Sequence, residues 1–287
     1  MNKLTALLDD FSVNSHDDGY SLENAINQHN LIADHANAIP KRAIEAKGWK
    51  LSSLSANYIQ SKTLYRKHDT ASDAKLAFWL AKSQEQAKQF FIEHQGMPDF
   101  TGISKEELGE IARLSPDESV IADLPEILGY KGIILVYQPA LEGTKVDGAS
   151  FMLANKYPVI SLSLRQPRLD NFWFTLLHEL AHVCLHKDKL IEPIVDSFDS
   201  ESAPDSLEDI EIQADRLAHQ SFISKVLWRT ATFKNTNDQN EIYRFAAELS
   251  LHPAIVAGLA RRYQKRYDLF SEIVHKTNPK KLLGIEV

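Results

Sequence analysis

The stretch DNFWFTLLHELAHVCLH, Asp170–His186, decides how this chain is read. It holds His-Glu-x-x-His at His178, Glu179 and His182. In an α-helix, residues four apart differ by only ~40° around the axis, so both imidazoles face one point. Glu179 stands one residue step, ~100°, from His178 on the same helix. On a helical wheel Thr175, His178, Glu179, His182 and His186 share one arc of roughly 100°, and every other position from Phe172 to Leu185 is apolar. A helix this apolar is buried, and a polar stripe on a buried helix needs partners. Two imidazoles and a carboxylate converging on one spot match the donor set of a zinc ion. The bland alternative is a core helix whose histidines bond to backbone; the confinement of all polar residues to one arc argues for the metal.

Catalytic zinc takes three protein ligands and leaves a fourth position for water. Three candidates compete for the third place. His186 lies about 12 Å along the axis from His178, too far to share an ion on an intact helix. Asp188 follows His182 by six residues, a spacing that works when a glycine ends the helix between them, but Leu185 occupies that position. The third option is an acid on a later helix, Leu207–Ser224, where Glu208, Glu211, Asp215 and His219 share a face. There Glu211 is preferred, then Glu208. Asp215, four residues on, is suited to orient an imidazole from behind. His186 is then a structural or rim residue.

Working outward, three short β-rich runs precede the histidine helix: Gly132–Tyr137, Gly148–Leu153 and Val159–Leu164. They predict a small antiparallel or mixed sheet packed against that helix, in an otherwise mostly helical α+β fold. The edge of the last run is expected to border the cleft and to accept a peptide as an added strand. Asp73–Ile92 predicts a helix with Leu76, Trp79, Leu80, Ala87, Phe90 and Phe91 as its core positions. Ser104 and Glu107 form a capping-box pattern. Leu114–Leu128 and Asn240–Leu249 predict further helices, and Lys187–Ser206 an acidic loop. After His252–Pro253 and an apolar turn, Ala254–Leu259, a last helix carries Arg261, Arg262, Lys265 and Arg266, expected to be a solvated or partner-docking face.

The 287 residues are 44% hydrophobic and 25% charged, ordinary globular material. A net charge of −7 gives no general attraction to nucleic acid. The single cysteine, Cys184, excludes an internal disulfide framework and points away from the polar arc, so it is read as a small core residue. The N-terminus lacks a signal-peptide pattern and no apolar run is long enough to span a bilayer, so a cytoplasmic location is expected. His16, His29 and His35 are expected to be exposed or capping residues.

With these residues in hand, the chain resembles the ImmA/IrrE family of zinc metallopeptidases. The resemblance lies in RQPRLDNFWFTLLHELAHVCLH (Arg165–His186) and in EIQADRLA (Glu211–Ala218), which is similar to the family's E-x-x-A-N-x-F-A third-ligand helix. It extends to LYRKHDTASDAKLAFWL (Leu64–Leu80), GASFMLANKYPVISLSLR (Gly148–Arg165) and LHPAIVAGL (Leu251–Leu259). These segments resemble the regulator-type branch, in which a helix-turn-helix repressor domain precedes the peptidase. Ala181, Asp215 and Ala254 stand where the family commonly has glycine, asparagine and glycine; none of these changes removes a ligand. The resemblance implies metal ligands His178, His182 and Glu211, and Glu179 as the catalytic carboxylate. Arg165, His219 and His252 are candidate oxyanion donors. Residues 1–38 are a variable segment, too short and acidic for the repressor domain, ahead of a helical region (39–100), the peptidase domain (101–230) and a C-terminal helical region (231–287). The expected substrate is therefore a separately encoded helix-turn-helix (XRE-like) repressor or antitoxin. Rival expectations are a non-proteolytic zinc-containing regulator and the toxin of a toxin–antitoxin pair.

Overall fold

The computed structural model describes residues 71–139, 141–197 and 205–285, and the side chains of all of these except 71–74, 196–197 and 205–208. The expectations for residues 1–38, for the start of LYRKHDTASDAKLAFWL and for the Glu208 side chain lie outside the described residues. In chain order come α1 (Ala71–Glu93), α2 (Lys105–Ala112), α3 (Val120–Gly129), β1 (Ile134–Tyr137), β2 (Val146–Leu153), β3 (Tyr157–Leu162) and α4 (Leu169–Leu185). They are followed by β4 (Ile194–Ser197), α5 (Asp205–Phe222), α6 (Lys225–Thr230), α7 (Gln239–Leu249), α8 (Pro253–Gln264), α9 (Ser271–Val274) and α10 (Pro279–Leu282). The fold is α+β, mostly helical, around one small mixed sheet.

The sheet runs β1-β3-β2-β4, with β1 parallel to β3 and the other two pairs antiparallel. Period-two alternation splits its side chains between two layers. Ile134, Val136, Phe151, Leu153, Tyr157 and Val159 pack with Ala87 and Phe91 of α1, while Leu76, Trp79 and Leu80 of the same helix close over Val146 and Ala149. The hydroxyl of Ser161 meets that of Ser83 on α1 at 2.7 Å, so the polar atoms in this layer satisfy each other. From the opposite face Leu135, Ile160, Leu162 and Ile194 enter the main core with α4 and the C-terminal helices. Burying each such aliphatic side chain contributes about 1.5–3 kcal/mol.

Local signals set most boundaries. Ser104 and Glu107 form the reciprocal capping box at the start of α2, with bonds of 3.2 and 2.8 Å. At α8, His252 is the N-cap: its Nδ1 accepts from Ala254 N at 3.1 Å, and Pro253 fills the first turn, where no N–H is needed. Lys265 ends α8 in the left-handed conformation.

Four expectations are corrected. Ile194–Ser197, within the stretch read as acidic loop, is the strand β4, pairing with β2 through Ala149↔Val195 and Ser150↔Ile194. The run Val159–Leu164 is no edge: β3 is paired on both sides, so a peptide cannot add there. The helix expected at Leu114–Leu128 begins only at Val120, because Ser115–Ser119 form turns and the Ser115 hydroxyl accepts from His252 N at 3.0 Å. Lastly, the apolar stretch Ala254–Leu259 is not a turn but part of α8, which starts at Pro253, and one of its four basic residues leaves the solvated face. Arg262, Lys265 and Arg266 are exposed, Arg262 pairing with Asp215 and Arg266 with Asp268, whereas Arg261 is only 4% exposed. The helical wheel explains this: Arg261 follows Ala254, Ala257 and Gly258 onto the face that packs on α4.

Candidate metal centre

The helix α4 is buried over nearly its whole length, and its polar arc is met by two walls. On one side stands α5, whose apolar positions Ile210, Ala214, Leu217 and Ala218 join the main core and so turn Glu211 and Asp215 toward the histidines. Glu211 Oε2 lies 2.9 Å from His178 Nε2 and 3.5 Å from His182 Nε2, and the two imidazole nitrogens are 3.0 Å apart. Tetrahedral ligand atoms at bond lengths of ~2.0–2.2 Å stand roughly 3.3–3.5 Å from one another. The triangle is thus close to the size one ion requires, and the residues fit a metal of the zinc type.

Both candidate imidazole ligands are held from behind. His178 Nδ1 is 3.0 Å from Asp215 Oδ1, an acceptor that favours the proton on Nδ1 and would leave the Nε2 lone pair to a metal. The other oxygen of Asp215 accepts from Arg262 at 3.0 Å. His182 Nδ1 is 3.3 Å from His186 Nδ1, and His186 Nε2 is 3.4 Å from Gln213. His186 therefore stands behind a ligand at the C-cap of α4 and outside the triangle; Asp188, in the short 3-10 turn that follows, is exposed and also outside it.

The electrostatics follow from burial and close pairing. Burial pushes Glu211 up, but hydrogen bonds and charge from His178 and His182 outweigh it and bring its pKa down to about 2. The same competition, with His178 and Arg262 opposing burial, holds Asp215 below the usual carboxylate range. Burial lowers His182, so its neutral, ligating form persists into mildly acidic solution.

On the other side stands β2. Glu179 is fully buried, and its Oε2 accepts from the Ser150 hydroxyl at 2.6 Å. Beside it, a Cβ on Gly148 would overlap Glu179 Oε1 and come within 3.0 Å of Glu179 Cγ and of Thr175 Cγ2. Glycine is required there by the close approach of α4 to the strand, not by a special backbone angle. Neither Ser150 nor Gly148 is singled out as a site residue by the sequence, because their partner lies about thirty residues away and carries no periodic signal.

The three candidate oxyanion donors are already engaged. Arg165 binds Asp147 with two bonds, 3.0 and 2.8 Å. His219 packs edge-on against Trp228, with ring centroids 4.5 Å apart, and burial lowers its pKa. His252 caps α8 with one nitrogen and meets Glu118 at 3.1 Å with the other, which makes it a structural residue. Cys184 is partly buried against the main core and stands outside the ligand cluster, as expected.

Residues 131–264, from the turn before β1 to the last residue of α8, match the family model of the IrrE N-terminal-like domain, peptidase M78. They belong to that family. All three metal-ligand candidates, Glu179 and both walls, β2 and α5, lie inside this IrrE-like domain, whereas α1 to α3 precede it. A search among curated proteins finds no significant match. No helix of the described residues is long and apolar enough to cross a membrane.

Proposed function

We propose that this chain is a zinc-dependent endopeptidase of the cytoplasm whose substrate is a separately encoded helix-turn-helix repressor or antitoxin. The observation that carries the catalytic part is the combination of the His178–His182–Glu211 triangle with a carboxylate, Glu179, held one helical step away by Ser150. Membership of the IrrE-like domain in a peptidase family supports it. A zinc ion on the triangle would supply Lewis acidity and lower the pKa of a water toward ~7.

The chain's own groups divide the remaining work. His178 and His182 present their Nε2 atoms, the first oriented by Asp215 and the second by His186. Glu179 takes a proton from the attacking water and delivers it to the leaving amine. The Ser150 hydroxyl donates to Glu179 Oε2 and so sets which carboxylate oxygen faces the reaction. Among the described residues β1 and β4 are the two sheet edges, and β4, which pairs with β2 beside Gly148 and Ser150, is the edge nearer Glu179 at which a peptide would add as a strand. The non-proteolytic alternative draws on the basic C-terminal helix and on the lack of an assigned oxyanion donor; the burial of Arg261 and the pairing of Arg262 and Arg266 weaken the first of these.

The test is incubation of the zinc-loaded chain with the helix-turn-helix protein encoded beside it, with and without chelator. Discrete fragments that vanish with chelator are expected. A stable complex without fragments, in the presence of zinc, would overturn the peptidase reading.

A further inference from the structure

Beyond Asp215, on the side away from the histidines, a cavity of about 580 Å³ opens between α4 and α8. That size is in the range that takes a small ligand or a few residues of a peptide. Its walls carry four arginines, Arg165, Arg168, Arg261 and Arg262, against three aspartates, Asp147, Asp170 and Asp215. Three of the arginines are matched one to one: Arg165 with Asp147, Arg168 with Asp170 and Arg262 with Asp215. Arg261 is the surplus. It is 4% exposed, and its Nη2 donates to the Tyr267 carbonyl, while its Nε and Nη1 meet no hydrogen-bond partner. A buried guanidinium with idle donors is costly, and because those nitrogens are sealed from solvent it acts on the cavity through its charge, which an anionic group placed there offsets. Asp170 and Asp268 act on Arg261 through charge without bonding to its idle nitrogens, and burial raises the pKa of Asp170.

The cavity adjoins the candidate metal centre through Asp215 and Thr175. Arg262 bonds to Asp215, which bonds to His178, and Thr175 from the polar arc of α4 also lines the wall. Phe174, Ile255 and Leu259 give apolar surface suited to the methylenes of a longer acidic side chain.

We propose that this cavity is a carboxylate-binding specificity pocket that receives a glutamate or aspartate side chain of the peptide, close to the bond to be cut. Arg261 supplies the uncompensated charge behind it and Arg168 a more exposed donor on its wall. The assignment rests on the peptidase reading for calling the ligand a substrate, so the test reads binding rather than turnover.

The zinc-loaded chain carrying Glu179→Gln is titrated by calorimetry with short neutral peptides that contain one Glu at varied positions, with the all-Gln peptide, and with free glutarate. A Glu peptide is expected to bind about tenfold or more tightly than its Gln counterpart, the difference expected of hydrogen bonds to a charged group. Arg261→Gln is expected to abolish that preference, and Arg168→Gln to reduce it if the first variant fails to fold. Equal binding of the Glu and Gln peptides, or a preference unchanged in both arginine variants, overturns the pocket. Glutarate binding as tightly as the best Glu peptide would instead assign the site to a free carboxylate and overturn the substrate assignment. A Glu preference that stands while no protein is cleaved leaves the pocket in place and removes only the peptidase reading.

Discussion

The two walls that face the polar arc of α4 differ in how a carboxylate is held: the strand wall fixes Glu179 of α4 itself, whereas the helix wall carries its own. On the strand side, Glu179 is fully buried, braced by Ser150 and in van der Waals contact with the bare backbone of Gly148. On the helix side, the Glu211 and Asp215 side chains keep 32% and 42% of their exposure and are positioned by charge, through His178, His182 and Arg262. One wall works by packing, which tolerates little change of volume. The other works by electrostatics, which tolerates conservative exchange but is sensitive to pH. In the proposed mechanism, proton transfer falls to the rigid side and metal retention to the adaptable one.

The comparison is sharpened most by Glu179→Gln. Cleavage should fall about 10²–10⁴-fold while zinc content measured by elemental analysis stays at the wild-type level. Loss of zinc from this variant would show that the two walls are not separable. Next, Glu211→Ala should lose most of its zinc on dialysis against a weak chelator, whereas His186→Ala should keep it; the reverse outcome would give the third ligand position to His186. Gly148→Ala should destabilise the fold by about 1–3 kcal/mol in urea denaturation, because the methyl group meets a buried helix that cannot retreat. A neutral effect would mean that α4 yields and that the strand side is less rigid than its packing indicates. On the helix side Asp215→Asn should change zinc affinity by less than tenfold, since an amide oxygen can still accept from His178, and Asp215→Ala by about 10–100-fold.

The smallest effect concerns the metal-free chain. Glu211 has its pKa lowered from 4.5 to about 2, so the stability it contributes is present above 4.5 and is lost as pH falls through that window. Glu211→Gln should therefore show a shallower decline of urea midpoint over the same interval. Parallel curves for the two proteins would remove electrostatics as the means by which Glu211 is held.

What the sequence made legible is what recurs with a helical period. The polar arc of α4 and the Glu211/Asp215 pair of α5 are both i, i+4 patterns, and both elements stand where that spacing puts them. The α1 core positions were readable for the same reason, with Trp79 and Leu80 wholly buried. Features set by contacts between distant segments were not readable. β4 is four residues within an acid-rich stretch, and only its pairing with β2 makes it a strand. Val159–Leu164 has the alternation of an edge strand or an inner one, and the parallel partner β1 decides the matter. Arg261 is one letter in a basic run, and its burial depends on Gly258, where a Cβ would lie 2.7 Å from Asp170 Oδ2 and so hold α8 away from α4.

Asp215 has one oxygen on a buried imidazole and the other on a guanidinium that is 56% exposed. Dissolved ions reach the outer bond and screen it, while the inner bond is shielded from them. As salinity rises the carboxylate is left with a single firm partner, and the orientation of His178 becomes a function of the medium as well as of the fold.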